Sequence, residues 1–253
     1  MTARLARTAR PLAATALALA LTAATPPVAR AQSCDCPAPV YPARWSVFLA
    51  TGAGTMETTT LNALLAGAGG YYALSDDAIS LGVGGYTSFG PLRLGAEYVQ
   101  LVAGRESAPS GRHAWLESRY AMATVGWDLR PFGRLSLAPT LGVGRGQYVL
   151  GVGDRAGGAP AAGTPTFPEL LADPGTETTI AGGHWIYEPM IAADLVVVRL
   201  RGQRGGITIG ARAGYRIAPN RPEWRARGEA VAGGPVDQAK GPILRITFGI
   251  GGR

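Results

Sequence analysis

A chain of 253 residues, 47% of them hydrophobic and 16% charged, is long enough to form one sizeable domain. Its formal charge of +7 falls to +3 without the N-terminal segment described next, because Arg4, Arg7, Arg10 and Arg30 leave and no acidic residue does. So small a charge, with no run of basic residues, argues against a surface that binds nucleic acid. The chain has two cysteines, and because both lie in the proline-rich N-terminal segment described below, they cannot cross-link the main fold by disulfide bonds.

Residues 1–31 are typical of a secretory signal peptide. Arginines precede an apolar run from Leu12 to Ala24, and Ala29-Arg30-Ala31 provides a small-x-small cleavage site. A membrane-spanning helix needs about 20 apolar residues, whereas this run is broken by two prolines after roughly thirteen. We therefore expect export and cleavage before Gln32.

Residues 32–44 are rich in proline, and we predict a flexible periplasmic segment there. This segment carries Cys34 and Cys36. A Cys-x-Cys pair closes too small a ring to constrain much of the chain, and two thiolates alone are an incomplete zinc site. We therefore interpret both cysteines as residues of a flexible tail without a structural role. The alternative is that Cys34 carries a lipid. We expect no metal and no cofactor.

From Trp45 onward the hydrophobic pattern has a period of two, which is typical of β-strands. The seventh segment is the clearest, because apolar residues at every odd position from Ile207 to Tyr215 alternate with threonine, glycine and arginine. The segments cover approximately residues 45–51, 79–87, 92–98, 114–129, 135–150, 184–200, 207–217 and 243–251.

The connections between these segments alternate in length. Those after the second, fourth and sixth segments are a few residues long, while those after the first, third, fifth and seventh are long. This alternation is typical of an outer-membrane barrel with short periplasmic turns and long extracellular loops. We therefore predict an all-β fold, an eight-stranded antiparallel up-and-down transmembrane β-barrel over residues 45–253.

In pattern and topology the chain resembles the small eight-stranded outer-membrane barrels of Gram-negative bacteria, such as the transmembrane domain of outer-membrane protein A and the X-type barrels. The resemblance implies a monomer in the outer membrane, in contact with lipid and lipopolysaccharide. One feature departs from those barrels, which commonly end in an aromatic residue. Here Phe248 is followed by Gly-Ile-Gly-Gly-Arg.

The face opposite the apolar residues carries charges that we predict to lie in the lumen. The interior of an eight-stranded barrel is just wide enough to be filled by side chains, so buried charges there must be paired. A salt-bridge network that plugs the lumen is the expectation, with an ion path or a buried catalytic pair as the alternative. The residues are Arg93, Glu97, Glu117, Arg119, Glu188, Asp194, Arg212, Arg216 and Arg245.

Aromatic residues are expected at both membrane interfaces. Trp45 and Trp127 lie near the inner ends of their segments, and Trp115, Trp185 and Tyr187 lie near the outer ends. This distribution supports the predicted topology. The same aromatics would form the core of a soluble sandwich.

Segments four to six are longer than the nine to eleven residues, approximately, that cross the hydrocarbon. We expect them to project outside the cell and to offer edges for a protein partner. The Thr58-Thr59-Thr60 sequence predicts a short helix over the barrel mouth, whereas residues 151–175 read as a flexible loop. Arg221, Arg225 and Arg227 are candidates to meet lipopolysaccharide phosphates, or are simply solvated.

The sequence favours a structural or surface-interaction role, in adhesion or envelope integrity, and no catalysis. The alternatives are a small passive pore, a lipid-modifying enzyme of the outer membrane, and a soluble periplasmic barrel that binds an apolar ligand. An enzyme would need a nucleophile and a base. Ser118 and Glu117 near His113 are the candidates, and His184 is the other histidine.

Overall fold

The computed structural model describes residues 44–132, 134–158, 166–199, 205–236 and 239–252. The predicted signal peptide, Cys34 and Cys36 lie outside these ranges. The helices are α1 (Thr59–Ala68) and α2 (Phe167–Ala172). The strands are β1 (Arg44–Thr55), β2 (Asp77–Phe89), β3 (Leu92–Ser107), β4 (Arg112–Trp127), β5 (Leu129–Phe132), β6 (Leu135–Asp154), β7 (Thr178–Arg199), β8 (Gly205–Arg216), β9 (Glu223–Ala226), β10 (Glu229–Ala230) and β11 (Gly241–Gly252).

Eight of these strands close into a ring in the order β1, β2, β3, β4, β6, β7, β8 and β11, with every neighbouring pair antiparallel. The last strand completes the ring by pairing with the first, from Trp45 opposite Gly252 to Gly54 opposite Ile243. Because lipid offers no hydrogen bonds, only such an edgeless sheet can cross a membrane. The predicted eight-stranded antiparallel barrel is confirmed.

The two faces of the strands differ sharply in exposure. On β1, Leu49 points outward with 66% of its surface exposed, while its neighbour Phe48 points inward with 4% exposed. The same alternation runs around the ring and leaves a continuous outward band of leucine, isoleucine, valine and aromatic side chains. We call this surface the apolar band; it is the surface that lipid covers in a transmembrane barrel.

The ring is taller on one side. Strands β3, β4, β6 and β7 have 16, 16, 20 and 22 residues, whereas β1, β2, β8 and β11 have 12 or 13. The four long strands continue beyond the apolar band as an outer wall. Short β9 pairs with the outer part of β7, with Ile180 opposite Ala226, and widens this wall.

One expected long loop is instead a tight turn. The sequence predicts that the third strand ends near Tyr98, but β3 continues to Ser107, so that residues 108–111 alone connect it to β4. Beyond Tyr98 the pattern inverts, because Val99, Leu101 and Ala103 point inward and are buried. Each strand is predicted from apolar residues on its outward face, so the sequence pattern could not identify the part of β3 in which the apolar residues point inward.

The other three outer connections contain secondary structure. Helix α1 lies in the first, α2 in the third, and β9 with β10 in the fourth. The sequence predicts the first helix but only a flexible loop over residues 151–175, whereas β6 continues to Asp154 and α2 follows. Among the described residues, no helix has the length and hydropathy needed to cross a membrane.

Candidate functional site

The inner part of the lumen contains a cluster around Arg93, which is 3% exposed. Its Nη1 donates to Asp194 Oδ2 at 2.7 Å and its Nη2 to Ser136 Oγ at 2.8 Å, with Asp128 Oδ1 at 3.5 Å. The guanidinium lies 3.9 Å from the centre of the Tyr86 ring. This arginine therefore joins strands β3, β6 and β7 and the residue after β4.

Gly210 and Asp128 also contribute to this inner cluster. Gly210 on β8 faces Asp194, and a Cβ there would lie 2.5 Å from Oδ1 of that carboxylate. Glycine thus leaves the space that the acid occupies. Asp128 comes directly after β4 and accepts a hydrogen bond from Ser136 Oγ. The sequence did not predict Asp128 as a lumen charge, because its arginine partner, Arg93, is 35 residues away along the chain.

A second cluster lies in the middle of the lumen and is centred on Arg245. Its Nη1 donates to Glu97 Oε2 at 3.1 Å, and its Nη2 donates to Glu188 Oε2. Arg212 forms a salt bridge with the other oxygen of Glu97, and Arg216 Nε donates to Glu188 Oε1 at 2.9 Å. Each carboxylate therefore bridges two arginines.

Aromatic side chains complete this middle cluster. Tyr120 Oη donates to Glu188 Oε1 at 2.7 Å and accepts from Arg216 Nη2 at 2.7 Å. The Arg212 guanidinium lies 3.9 Å from the centre of the Phe48 ring. Across both clusters, the described part of the chain places four arginines beside four carboxylates. Their charges balance, as burial in a narrow lumen demands.

Two of the charges predicted for the lumen lie elsewhere. Glu117 and Arg119 are on the outward face of β4, and the side chain of Arg119 is 51% exposed. From here to the inner end, the side chains that point inward and are buried include Ser118, Tyr120, Met122 and Thr124. The prediction is wrong because 117 and 119 share the parity of Trp127, which was itself placed on the outside. Both charges lie beyond the apolar band and pair with each other.

The predicted interface aromatics all point outward, at different heights. Trp45 and Trp127 are about half exposed at the inner ends of β1 and β4, and Trp185 and Tyr187 are exposed on β7. Trp115 lies further out along β4, on the far side of the charged pair Glu117 and Arg119, and covers Gly151 of β6. It is therefore at a different level from Trp185.

An apolar core fills the outer part of the barrel, above the two charged clusters. The inward side chains of the outer wall, such as Leu101, Leu116 and Leu150, pack there against the helices. Helix α1 contributes Leu61 and Leu65, and α2 contributes the residues Phe167, Leu170 and Leu171, each at most 2% exposed. We call α1 and α2 the lid, because their buried faces close the outer end of this core.

Side-chain hydrogen bonds fix each helix of the lid. Thr58 does not cap α1 with its side chain but donates to Leu74 O at 3.2 Å and to Asp76. Asn62 donates to the same Leu74 carbonyl at 2.9 Å and accepts from the Leu74 amide at 2.8 Å. The first loop is thereby tied across its own base. The loop is ordered by polar contacts as well as by its leucines.

Helix α2 begins with a capping box formed by Thr166 and Glu169. The hydrogen bond from the Thr166 amide, at 2.7 Å, lowers the pKa of the Glu169 carboxyl. Phe167 packs edge-on against Trp224, with ring centres 5.4 Å apart, and Trp224 Nε1 donates to Pro235 O at 2.8 Å. The fourth loop is therefore attached to the lid.

Arg112, at the outer end of β4, connects both lid helices. Its Nη1 donates to Ala68 O at 3.0 Å and Gly69 O at 2.8 Å, and its Nη2 donates to Ala172 O at 2.8 Å. These carbonyls stand at the C-terminal ends of α1 and α2, where the helix dipole favours a cation. Asp154 lies 3.5 Å from Arg112 Nε.

Tyr71 reinforces the same junction. Its hydroxyl donates to Leu171 O at 3.0 Å, and its ring lies 5.3 Å from the Arg112 guanidinium. Burial raises the pKa of Tyr71 to about 12, so the hydroxyl keeps its proton and remains a donor. Sequence reasoning missed Arg112 and Tyr71, because their partners are backbone carbonyls distant along the chain.

The candidate catalytic residues are not brought together. Ser118 points inward and Glu117 points outward, on opposite faces of β4. His184 is 1% exposed and stacks on Tyr148 with ring centres 4.3 Å apart, while His113 lies against Gly153 at the outer end of β6. Within the described ranges, no group of three His, Cys, Asp or Glu side chains is arranged to hold a metal ion.

No protein-family model matches the chain, and no curated protein gives a significant match. Solved structures do match. A major outer membrane protein of Thermus thermophilus is 13% identical over 84% of this chain and 100% of that chain, with a TM-score of 0.45. The eight-stranded antiparallel ring described above is, by its own topology, the architecture of a small outer-membrane barrel.

Two further solved structures match the chain. Ail, the attachment invasion locus protein of Yersinia pestis, is 12% identical over 83% of this chain and 96% of that chain, with a TM-score of 0.40. Neisserial surface protein A is 11% identical over 83% of this chain and 95% of that chain, with a TM-score of 0.38.

Replacing Glu188 with glutamine should destabilise the barrel strongly, because Arg216 and Arg245 would each lose a buried ionic partner. Breaking a buried pair costs about 3–5 kcal/mol. The matched change Glu117→Gln affects a side chain that is 9% exposed, but its partner Arg119 is 51% exposed and can be solvated by water, so the change should cost clearly less than Glu188→Gln. Urea unfolding in lipid vesicles, followed by tryptophan fluorescence, measures both. Equal costs for the two variants would contradict the assignment of the two residues to opposite faces.

Replacing Arg112 with alanine should loosen the lid while leaving the barrel intact. Three charge-assisted hydrogen bonds to helix ends are lost, each worth roughly 1.5–3 kcal/mol. Protease added outside intact cells should then cleave within residues 56–76 faster than in the wild type. The control Arg155→Ala removes an exposed arginine from the neighbouring loop. A heat-dependent gel shift verifies that both variants fold; cleavage at the wild-type rate would refute the role of Arg112.

Proposed function

We propose that this protein is a sealed outer-membrane barrel with a structural or surface-interaction role, exported through a cleaved signal peptide. One observation carries the proposal: the lumen holds two layers of paired charge beneath an apolar core and a fixed lid. A barrel of eight strands leaves room only for side chains, and here those side chains are mutually bound. The protein therefore serves the envelope through its outer surface.

The passive pore is the nearest alternative, and the charges argue against it. An ion path needs charged side chains that water can hydrate. The side chains of Arg216, Arg245 and Glu188 are instead fully buried, and both arginines form salt bridges with Glu188. Above them the core is mostly apolar, and the buried polar side chains beside it, such as Ser118 and His184, carry no fixed charge that could pair with an ion. An ion would have to break the middle cluster and then cross the leucines of the lid.

A soluble barrel with an apolar ligand is disfavoured by the outward face. Leu49, Ile79 and Leu244 are all more than half exposed, and they belong to the apolar band. In water such a band would promote association, because monomeric soluble proteins rarely expose large continuous apolar patches. Lipid removes that cost. Export to the outer membrane thus accounts for the residues that a soluble protein would not tolerate.

The outer wall and the lid supply the surface for interactions outside the cell. The wall is a continuous sheet built from β3, β4, β6, β7 and β9, so its side chains are held by paired backbone. Arg112 and the aromatic contacts of Trp224 attach the loops to it. A rigid surface loses little conformational entropy when a partner binds. This favours recognition over a purely passive loop region.

The purified protein in planar lipid bilayers should give no steady ion conductance. The physical reason is that every described charge in the lumen is engaged in a salt bridge beneath the lid. A general porin, whose larger barrel leaves an aqueous channel, reconstituted in the same way, is the positive control.

Cells provide the second readout of this prediction. Deleting the gene from the native bacterium should raise sensitivity to detergents while leaving the uptake of small solutes unchanged. Steady conductance by the wild-type protein, or solute uptake that falls on deletion, would instead establish the pore and overturn the sealed barrel.

A further inference from the structure

A groove of about 730 Å³ lies on the outside of the barrel rather than in its lumen. It spans the outward faces of β4, β6 and β7, and residues of the fourth loop, from Asn220 to Arg225, form its side. The Trp185 amide donates to Asn220 Oδ1 at 2.8 Å, which holds the loop against β7. We call this feature the outer groove.

Small residues keep the floor of the outer groove open. Ala181 and Gly183 on β7 pair with Arg225 and Glu223 of β9 and line the groove. A Cβ added at Gly183 would meet no atom within 4 Å. The space above this strand is therefore unfilled. A ligand of moderate size can lie there without displacing a side chain.

Three arginines surround this space. Arg119 on β4 is held by both oxygens of Glu117, whereas Arg145 on β6 and Arg225 on β9 make no salt bridge within the described part of the chain. Glu223 is the acidic residue among those lining the groove. The outer groove therefore has an excess of positive charge, and two of its guanidinium groups are free to bind an anion.

The height of the groove relates it to the membrane. Tyr98, Ala121 and Trp185 line it on the outward faces of β3, β4 and β7, at the level where polar side chains such as Gln100 and Arg119 begin. One step inward on the same faces stand Val143 and Tyr187. A residue pair at the polar edge of such a band lies at the level of lipid headgroups. Arg145, which pairs with Trp185, thus lies where the headgroups of the outer leaflet begin, and Arg225, which pairs with Ala181, lies four residues further out along β7.

We propose that the outer groove binds the phosphate group of an anionic glycolipid of the outer leaflet, with Arg145 and Arg225 as the residues that contact the phosphate. Guanidinium groups bind phosphate with paired, charge-assisted hydrogen bonds. Trp185 borders the site at the depth where the sugar meets the acyl chains. This proposal rests on the proposed placement in the outer membrane and adds a lipid-binding site to it.

The test reconstitutes the full mature chain in phosphatidylethanolamine vesicles that contain either diphosphoryl lipid A or dephosphorylated lipid A. Native mass spectrometry counts the lipid A that stays bound after gentle detergent release. The wild type should retain the phosphorylated form and lose the dephosphorylated one. Arg145→Gln/Arg225→Gln should weaken retention about tenfold or more for each arginine removed, as loss of a charge-assisted hydrogen bond predicts.

The control variant is Arg155→Gln/Arg199→Gln, which removes the same charge from exposed positions outside the groove and should retain lipid A as the wild type does. A heat-dependent gel shift verifies insertion of all variants. Failure of the wild type to insert would overturn the outer-membrane placement itself. Given insertion, the groove proposal is overturned by equal retention of both lipids or by a groove variant that retains lipid A as the wild type does.

Discussion

The rest of this structure depends on one constraint: within hydrocarbon, each backbone N–H and C=O must find a partner in the protein. A sheet meets that condition only by closing, so β11 pairs with β1 along nearly its whole length. Closure with eight strands then fixes a narrow interior. The charges inside must pair, because water cannot enter freely to solvate them. The Arg93 and Arg245 clusters follow from the number of strands.

The hydrophobic pattern changes where the solvent changes. In the apolar band the inward face of β3 carries Arg93 and Glu97, and the outward face carries leucines. Beyond the band the same inward face carries Val99 and Leu101, and the outward face turns polar at Gln100. The inner half is therefore built for lipid outside, and the outer half is built like a soluble protein with its core inside. Without the lid, the apolar side chains of this outer core would be exposed to water, and the buried faces of α1 and α2 cover them.

The sequence predicted the strands that keep one pattern throughout, such as β8 and β11, and Arg212, Arg216 and Arg245 are buried at alternate positions of these strands. It could not predict the outer half of β3, since the inversion there breaks the alternation that defined the segment. It misplaced Glu117 and Arg119 because their strand crosses the same boundary. Asp128 and Arg112 were missed for a different reason. Their partners are distant along the chain, and only the closed ring brings them together.

The measurement that tests the sealed lumen most directly is hydrogen exchange of arginine side chains, followed by NMR in lipid nanodiscs. Arg216 Nε–H donates to Glu188 in the middle cluster, and Arg119 Nε–H donates to Glu117 on the outside, with half of its side chain exposed. After transfer to deuterated water, the Arg216 signal should persist long after that of Arg119 has vanished. Loss of both signals at the same rate would show that water reaches the centre of the lumen and would contradict a sealed barrel.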